Sequence, residues 1–280
     1  MKFTLNCKGK LLVADQPLVM GIINSTSDSF YEGSRFPAHE TALKEAEKML
    51  HEGADIIDIG GQSSRPGAKQ VGVDVELDRV IPAIEKVHQQ FPDAIISIDT
   101  YHAHVALEAI SAGASIVNDI SAGNLDRGMI PAIGKMDVPY ICMHMKGDPQ
   151  TMQQFASYEN IHSELLDYFI AKKNECIGAG IKDLIIDPGF GFAKTMEQNF
   201  VLLNKLEVFS ILGCPMLVGL SRKSTIYKTL GVNAEQALNG TTVLNTIALM
   251  KGASILRVHD VKEAKEAVLL VSATQMQLGK

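Results

Sequence analysis

Residues 94–119 read AIISIDTYHAHVALEAISAGASIVND and contain the unit that decides the fold. Two short apolar runs, 94–99 and 115–119, flank a longer segment with helical period that ends at Gly113. Short, continuously apolar runs are typical of parallel strands that are buried on both faces. A glycine directly after the last helical residue is a common way for a helix to end. The stretch therefore predicts a strand, a helix and a second parallel strand.

The same unit recurs along the whole chain. The eight apolar runs span 18–24, 55–60, 94–99, 115–119, 139–144, 184–187, 216–220 and 255–259. An open doubly wound sheet would have fewer units and a phosphate fingerprint after its first strand, and that fingerprint is absent. The chain has 280 residues, close to the ~250 residues usual for a closed parallel barrel. We therefore predict an α/β fold, a single (β/α)8 TIM barrel.

Three further features complete the predicted architecture. Residues 3–13 are predicted to form a small hairpin that turns at Lys8-Gly9 and closes the bottom of the barrel. Without a linker or a shift in composition, we expect one domain over 1–280, with the hairpin in 1–15 and the barrel in 16–280. Among the helices, residues 165, 166, 169 and 170 are predicted to share an inner face.

Composition excludes several classes of protein. The hydrophobic fraction is 46%, and the net charge is −6 with Lys and Arg spread along the chain, so no basic patch predicts nucleic-acid binding. Neither a secretory signal nor an apolar stretch of transmembrane length is present. The four cysteines lie far apart, without metal-ligand spacing. The sequence thus predicts a soluble cytoplasmic protein with reduced thiols and no membrane partner.

Polar side chains gather where the predicted strands end, and active sites of such barrels lie at this end. Asp99, Asn118 and Asp187 end strands three, four and six. Carboxylates only accept hydrogen bonds, whereas an amide both donates and accepts. Together they suit a flat heterocycle with an amino-pyrimidinone edge, on which donors lie side by side.

A second group is cationic. Ser64 and Arg65 follow strand two, and Arg257 and His259 belong to strand eight, two positions away around the ring. Cations and hydroxyls at one edge suit a phosphate or a diphosphate. Asn24, on the strand between them, could help to hold a Mg²⁺ ion that also contacts the phosphates.

Simpler interpretations exist for single positions. An aspartate at a strand end is often a helix N-cap, and Ser64 and Arg65 alone could form a solvated loop. His144, between two methionines, is expected to be structural, and the glycines of DPGFGF could serve only a tight turn. A binding site is favoured because all eight strand ends carry polar, charged or glycine-rich groups.

The strand ends, in chain order, resemble those of the dihydropteroate synthase family. The matching stretches cover nearly the whole barrel: MGIINSTSDSF (20–30), DIGGQSSRPGA (58–68), SIDT (97–100), VNDIS (117–121), MHM (143–145), DPGFGFAKT (187–195), GLSRKS (219–224) and RVHD (257–260). Any one motif is weak, but eight in register are specific. The resemblance implies condensation of a dihydropterin diphosphate with 4-aminobenzoate, a homodimer, and a target of sulfonamides.

The resemblance also implies roles for matching positions. The pterin site would comprise Asp99, Asn118, Met143, Asp187, Phe192, Gly219 and Lys223. The diphosphate would be bound by Asn24, Ser64, Arg65, Arg257 and His259, with Mg²⁺ at Asn24. Aminobenzoate would be bordered by Arg65, Pro66, Phe192, Lys223 and Ser224, and closure of the first loop would involve Asp28, Phe30 and Glu32. Catalysis would be assigned to Asp99, Asp187, Lys223, Arg257 and His259.

The chain departs from the family pattern in its first two loops. Ser25 and Ser27 replace a valine and a proline, Glu32 replaces an aspartate, Gln62 a glutamate and Ser64 a threonine. Loss of the proline should raise the entropy cost of ordering the first loop. Three alternatives stay open: a methyltetrahydrofolate-dependent methyltransferase, a catalytically silent pterin-binding paralogue, and a barrel that acts on sugar phosphates. The cationic second group argues against the first, and retention of Lys223 and Arg257 against the second.

Overall fold

A parallel sheet of eight strands forms the centre of the computed structural model, which describes residues 2–25, 38–63, 67 and 70–278. Its strands are β3 (Leu18–Asn24), β4 (Ile56–Gly60), β5 (Ile96–Asp99), β6 (Ile116–Asp119), β7 (Tyr140–Met143), β8 (Leu184–Asp187), β9 (Leu217–Val218) and β10 (Ile255–Val258). Their order is β8-β7-β6-β5-β4-β3-β10-β9. A parallel bridge between Ile186 and Met216 joins the two edges. The predicted TIM barrel is confirmed.

Helices cover the outside of this sheet. They are α1 (Ala38–His51), α2 (Val73–Gln90), α3 (Ala103–Ala112), α4 (Met129–Met136), α5 (Ile161–Gly178), α6 (Met196–Asn204), α7 (Ser224–Leu230), α8 (Leu238–Met250) and α9 (Val261–Leu278), with 3-10 turns at Met152–Phe155 and Leu206–Leu212. In α5, Leu165 and Phe169 are buried as predicted, but Ile170 is 49% exposed. The prediction for Ile170 is wrong because hydrophobic period alone does not locate the edge of a buried stripe.

The amino-terminal hairpin closes one end of the barrel. Strands β1 (Phe3–Cys7) and β2 (Lys10–Ala14) pair antiparallel, and Lys8 and Gly9 turn between them with φ of +54° and +87°. These values suit the tight turn whose twist matches a hairpin. Leu5, Cys7 and Ala14 pack against the inward residues at the lower ends of the barrel strands. This apolar floor confirms the predicted hairpin and its place.

The alternation of side chains along each strand places polar groups directly above the floor. Successive strand residues point to opposite faces. The floor contains Ile56, Ile116, Ile141, Ile185 and Ile255, whereas their sequence neighbours belong to the cluster between sheet and helices. Two residues further along, the inward positions are Asp58, Asn118, Met143, Asp187 and Arg257. The two-residue period of the strands therefore places a polar layer of side chains directly above the apolar layer in the barrel interior.

The cysteines and the helices bear on two of the compositional expectations. Cys7, Cys142, Cys176 and Cys214 are buried and free, and burial is the main cause that raises the pKa of each thiol. Within the described ranges, every helix is too short or too polar to cross a bilayer.

Candidate active site

A buried cluster of charges lies across the polar layer. The guanidinium of Arg257 donates from Nε to Oδ2 of Asp58 and from Nη2 to Oδ2 of Asp99, both at 2.6 Å. Asn118 donates from Nδ2 to the same Asp58 oxygen at 3.1 Å. One partly buried cation thus joins β10 to β4 and β5, and Asn118 of β6 shares its partner Asp58. Three predicted site residues, Asp99, Asn118 and Arg257, lie together.

Asp58 is a member of this cluster that the sequence interpretation missed. It is fully buried, and its Oδ1 has no hydrogen-bond partner among the described residues. The predicted site residues are those at strand ends, and β4 ends in Gly60, which has no side chain. Asp58, two residues earlier on the same face, is therefore the last inward side chain of the strand. The final two inward positions of each strand, taken together, include it.

The carboxylates of the cluster are held away from water. Burial raises the pKa of Asp99 to about 7, while Arg257 opposes the shift and Asp58 adds to it. Burial likewise raises the pKa of Asp187, with Lys223 as the main opposing charge. Bound donors or a cationic ligand therefore favour the ionised forms of both groups.

Asp187 and Lys223 lie on either side of the loop that follows β8. Oδ1 of Asp187 accepts from the backbone N–H of Gly189 at 2.7 Å. The ammonium of Lys223 donates to the carbonyl of Phe190 and lies 4.6 Å from the ring centroid of Phe192, within cation–π distance. Burial lowers the pKa of Lys223 to about 8, and Asp187 opposes this shift. The predicted residues Asp187, Phe192 and Lys223 are brought together.

Lys194 is a second lysine near this loop, one to which the sequence interpretation gave no role. Its side chain is buried, with Nζ 3.1 Å from Nδ1 of His144 and within 3.0 Å of two loop carbonyls. Burial lowers the pKa of Lys194 well below its ordinary value, and burial also lowers the pKa of His144 to about 2. His144 is therefore a buried neutral histidine with a polar partner, as expected of a structural histidine.

The loops after β9 and β10 are joined by two polar contacts. The hydroxyl of Ser221 lies 3.0 Å from the ring atom Nδ1 of His259. The backbone N–H of His259 donates to the same hydroxyl at 3.2 Å. Arg222 forms a two-pronged ion pair with Asp260, at 2.9 Å and 2.7 Å. Arg222 thus connects structural elements, while His259 is exposed at the mouth of the barrel.

The remaining predicted positions divide into described and undescribed residues. Asn24 ends β3 beside Gly60, Met143 is buried, Ser224 begins α7, and a Cβ atom at Gly219 would approach Arg257. The other predicted positions lie outside the described residues: Asp28, Phe30, Glu32, Ser64, Arg65 and Pro66.

The second loop has a buried anchor on α2. Gln62, one of the departures from the family pattern, donates from Nε2 to Oε2 of Glu76 at 3.1 Å. Glu76 is fully buried, and burial raises its pKa to about 7. The glutamine at position 62 thus places a neutral donor against the buried carboxyl group of Glu76. A glutamate at this position would have added a second carboxyl group.

The chain matches a family model and close relatives over nearly its whole length. Residues 20–259 match the model described as pterin binding enzyme. The dihydropteroate synthase of Escherichia coli strain K12 is 43% identical over 272 residues, which cover 96% of each chain.

Solved structures show the same likeness. A Yersinia pestis dihydropteroate synthase with a sulfonamide drug complex has a TM-score of 0.91 at 41% identity, covering 99% of this chain and 100% of that one. Dihydropteroate synthase from Xanthomonas albilineans in complex with 7,8-dihydropteroate has a TM-score of 0.89 at 36% identity, covering 98% and 99%.

Proposed function

This chain belongs to the dihydropteroate synthase family of pterin binding enzymes, and we propose that it joins 6-hydroxymethyl-7,8-dihydropterin diphosphate to 4-aminobenzoate. The bond between the pterin methylene carbon and the diphosphate oxygen breaks, and its electron pair leaves with diphosphate. The arylamine nitrogen forms the new bond to that carbon and loses a proton. The products are 7,8-dihydropteroate and diphosphate.

The observation that carries this proposal is the polar layer above the apolar floor. Its members Asp99, Asn118 and Asp187 offer carboxylate and amide groups on three strands that face one interior. A pterin has a ring of amide and amino groups that such side chains can bind in its plane. As the leaving group departs, positive charge develops on the pterin, and Asp99 and Asp187 stabilise it electrostatically.

The leaving diphosphate is assigned to the opposite side of the cluster. Arg257 is held between two carboxylates, and His259 is exposed at the mouth with Ser221 fixing its Nδ1 side. Cations placed in advance stabilise charge as it develops, because little reorganisation is required during the reaction. Arg65, predicted from the family motif, would add to this group.

Mg²⁺ is the proposed metal, and Asn24 is the residue that would hold it. Among the described residues, no group of three or more His, Cys, Asp or Glu is arranged to bind a metal. This fits Mg²⁺ bound mainly through substrate phosphates, since such ions usually take only one or two protein oxygens. When bound, the ion would supply positive charge to the leaving diphosphate.

The aminobenzoate is assigned to the side of the site formed by Phe192, Lys223 and Ser224. The ammonium of Lys223 contacts the Phe192 ring and the β8 loop, so it borders both the pterin and the incoming amine. No covalent intermediate is required, and Lys223 positions both substrates. A methyl transfer has no diphosphate to bind. The cationic side chains proposed for the diphosphate would therefore have no role in it, which argues against the methyltransferase alternative.

The direct test is synthesis of labelled product. The purified protein is incubated with the dihydropterin diphosphate, radiolabelled 4-aminobenzoate and Mg²⁺, and dihydropteroate is separated and counted. We expect product that is lost on addition of EDTA and restored by excess Mg²⁺. Binding of 6-hydroxymethylpterin in calorimetry without any product would instead indicate a silent paralogue or a methyltransferase.

The assembly proposed for the chain is a homodimer formed through α8 and α9. These adjacent helices expose apolar side chains at Val243, Met250, Leu269 and Leu270, the last two 54% and 70% exposed. Light scattering is expected to give twice the chain mass for the wild type and a monomer for a Met250→Glu, Leu270→Glu double variant.

The buried free thiols support the further proposal of a reducing, cytoplasmic location.

A further inference from the structure

The loop after β8 contains three residues with positive φ, one of which, Ala193, does not favour that conformation by itself. Gly189 and Gly191 have φ of +71° and +82°, and Ala193 has φ of +49°. The left-handed region is unfavourable for alanine because its Cβ approaches the following carbonyl. A loop with such conformations keeps its shape only where surrounding contacts hold it.

Lys194 provides three of those contacts from the interior. Its Nζ donates to the carbonyl of Gly189 at 2.9 Å and to that of Phe192 at 3.0 Å, and lies 3.1 Å from Nδ1 of His144. An ammonium has three N–H donors, so these partners complete its capacity. The residue is 3% exposed, so water cannot replace a lost contact.

The arrangement holds in either protonation state. An ammonium donates to the two carbonyls and to a neutral imidazole whose Nδ1 accepts. A neutral amine still donates to both carbonyls and can accept from an Nδ1–H instead. One proton lies between Nζ of Lys194 and Nδ1 of His144. Whichever of these two atoms carries it, the two loop carbonyls keep their donors, so the geometry does not depend on a titration.

This buried lysine is connected to both substrate subsites through the loop it holds. The N–H of Gly189 donates to Oδ1 of Asp187 at 2.7 Å, so fixing Gly189 fixes that carboxylate. The carbonyl of Phe190 accepts from Lys223, whose ammonium also lies over the Phe192 ring. Displacement of the loop would therefore move Asp187, Phe192 and Lys223 together.

We propose that Lys194 is a positioning residue for the transfer reaction, holding the loop 188–195 so that Asp187 and Lys223 meet the pterin in productive geometry. The inference rests on the proposed function for its substrate. It assigns to the loop a specific role in pterin binding and turnover, whereas diphosphate binding by Arg257 and His259 is independent of Lys194.

The test compares Lys194→Met with Lys146→Met. Lys146 is also near His144, but its ammonium donates to Ser157 and Glu164 instead, so its variant is a matched loss of one lysine charge. For Lys194→Met we expect affinity for 6-hydroxymethylpterin and kcat each to fall about 10- to 100-fold, the scale of a small misplacement in a site. Inhibition by inorganic diphosphate should be unchanged, and Lys146→Met should leave all three values near those of the wild type.

Wild-type pterin affinity and kcat in folded Lys194→Met, or equal losses of pterin and diphosphate affinity, would overturn the proposal. Should that variant fail to fold, His144→Leu and His144→Asn replace it. The leucine removes one partner of Lys194 and should weaken pterin binding, whereas the asparagine oxygen can accept in place of Nδ1 and should preserve it. Equal affinities in these two variants would also overturn the proposal.

Pterin binding is measured by calorimetry and needs no turnover. A wild-type protein that binds 6-hydroxymethylpterin but makes no dihydropteroate would contradict the proposed function alone. The affinity comparison between Lys194→Met and Lys146→Met would still decide the role of Lys194.

Discussion

Arg257 and Asp58 form a partly buried ion pair inside the barrel, with Nε of the guanidinium 2.6 Å from Oδ2 of the carboxylate. The pair determines how Arg257 can approach Asp99, its second carboxylate, at the same distance. Asp58 does not end a strand, yet it orients both the cation and the Asn118 amide. The role of Asp58 can be tested without substituting Arg257 or Asn118, the two proposed substrate contacts.

Asp58→Asn should lower kcat/KM about 100-fold, because a displaced Arg257 no longer meets the developing charge. The amide keeps the size of the side chain but removes the charge that holds the guanidinium. Steady-state kinetics at saturating 4-aminobenzoate checks the value. Asp93→Asn, in an exposed pair with Lys10, is the control and should match the wild type. An unchanged kcat/KM in Asp58→Asn would show that Asp99 alone orients Arg257.

Glu76 should make the protein less stable as the pH rises. Burial raises its pKa to about 7 from an ordinary value of 4.5, so the folded state keeps a proton that the unfolded state has released. The stabilisation is complete below pH 4.5 and is lost as the pH rises through the folded pKa. Between about pH 5.5 and about pH 8.5, Glu76 should account for a fall of ~2 kcal/mol in the unfolding free energy.

Urea unfolding of Glu76→Gln at both pH values measures this contribution. Asp99, Asp119 and Asp187 also have raised pKa values, and they act in wild type and variant alike, so the difference isolates Glu76. The variant should show a fall smaller by about 2 kcal/mol, whereas Glu85→Gln on the exposed face of α2 should behave as the wild type. Parallel pH dependence in all three proteins would contradict the prediction.

Arg222 and Asp260 should be energetically coupled. Their side chains form two hydrogen bonds and are 27% and 16% exposed, and a partly buried two-pronged pair is stronger than a surface one. A double-mutant cycle with Arg222→Met and Asp260→Asn should give a coupling of about 1 to 3 kcal/mol in unfolding free energy.

The exposed pair Lys2–Asp15 provides the control cycle, in which little coupling is expected. The Arg222 variant should also lower kcat, because Lys223 follows it in the chain. Equal coupling in the two cycles would show that the Arg222 pair adds nothing beyond an ordinary surface contact.

Gly189→Ala should be strongly destabilising. The residue has φ of +71°, and an added Cβ would overlap the carbonyl oxygen of His144. Left-handed strain and overpacking together should cost about 3 kcal/mol. Gly178→Ala, at the end of α5 with open space around its Cβ position, should be neutral or stabilising by up to ~1 kcal/mol. Thermal unfolding of both variants checks the contrast, and equal melting temperatures would contradict it.

The pattern of apolar and polar residues along the sequence was enough to predict the barrel, the hairpin and most strand bounds. The exception is the strand predicted at 216–220, of which only Leu217–Val218 pairs as a strand. Met216 contributes a single bridge to Ile186, and Gly219 lies beyond the end of the strand. A strand that short leaves too little pattern to fix its ends.

The site was predicted only in part, for physical reasons. Asp99, Asn118, Asp187, Lys223 and Arg257 end strands or follow them directly, where the fold itself indicates function. Asp58 lies within a strand, and Lys194 lies in a loop where a lysine is ordinarily solvated. Their burial depends on contacts with residues far away in the chain, which a local pattern does not contain.

Among the described residues, the apolar floor closes one end of the barrel interior. Leu5, Cys7 and Ala14 fill that end, so the proposed substrates and products would pass the opposite end, the mouth at which His259 lies. In the proposed site the pterin binds deepest, beside Asn118 and Asp187, and the aminobenzoate binds above it near Lys223. A molecule seated above another blocks its exit as well as its entry. The proposed site therefore predicts that the pterin enters before the aminobenzoate and leaves after it, because of its depth in the barrel and independently of which substrate binds more tightly.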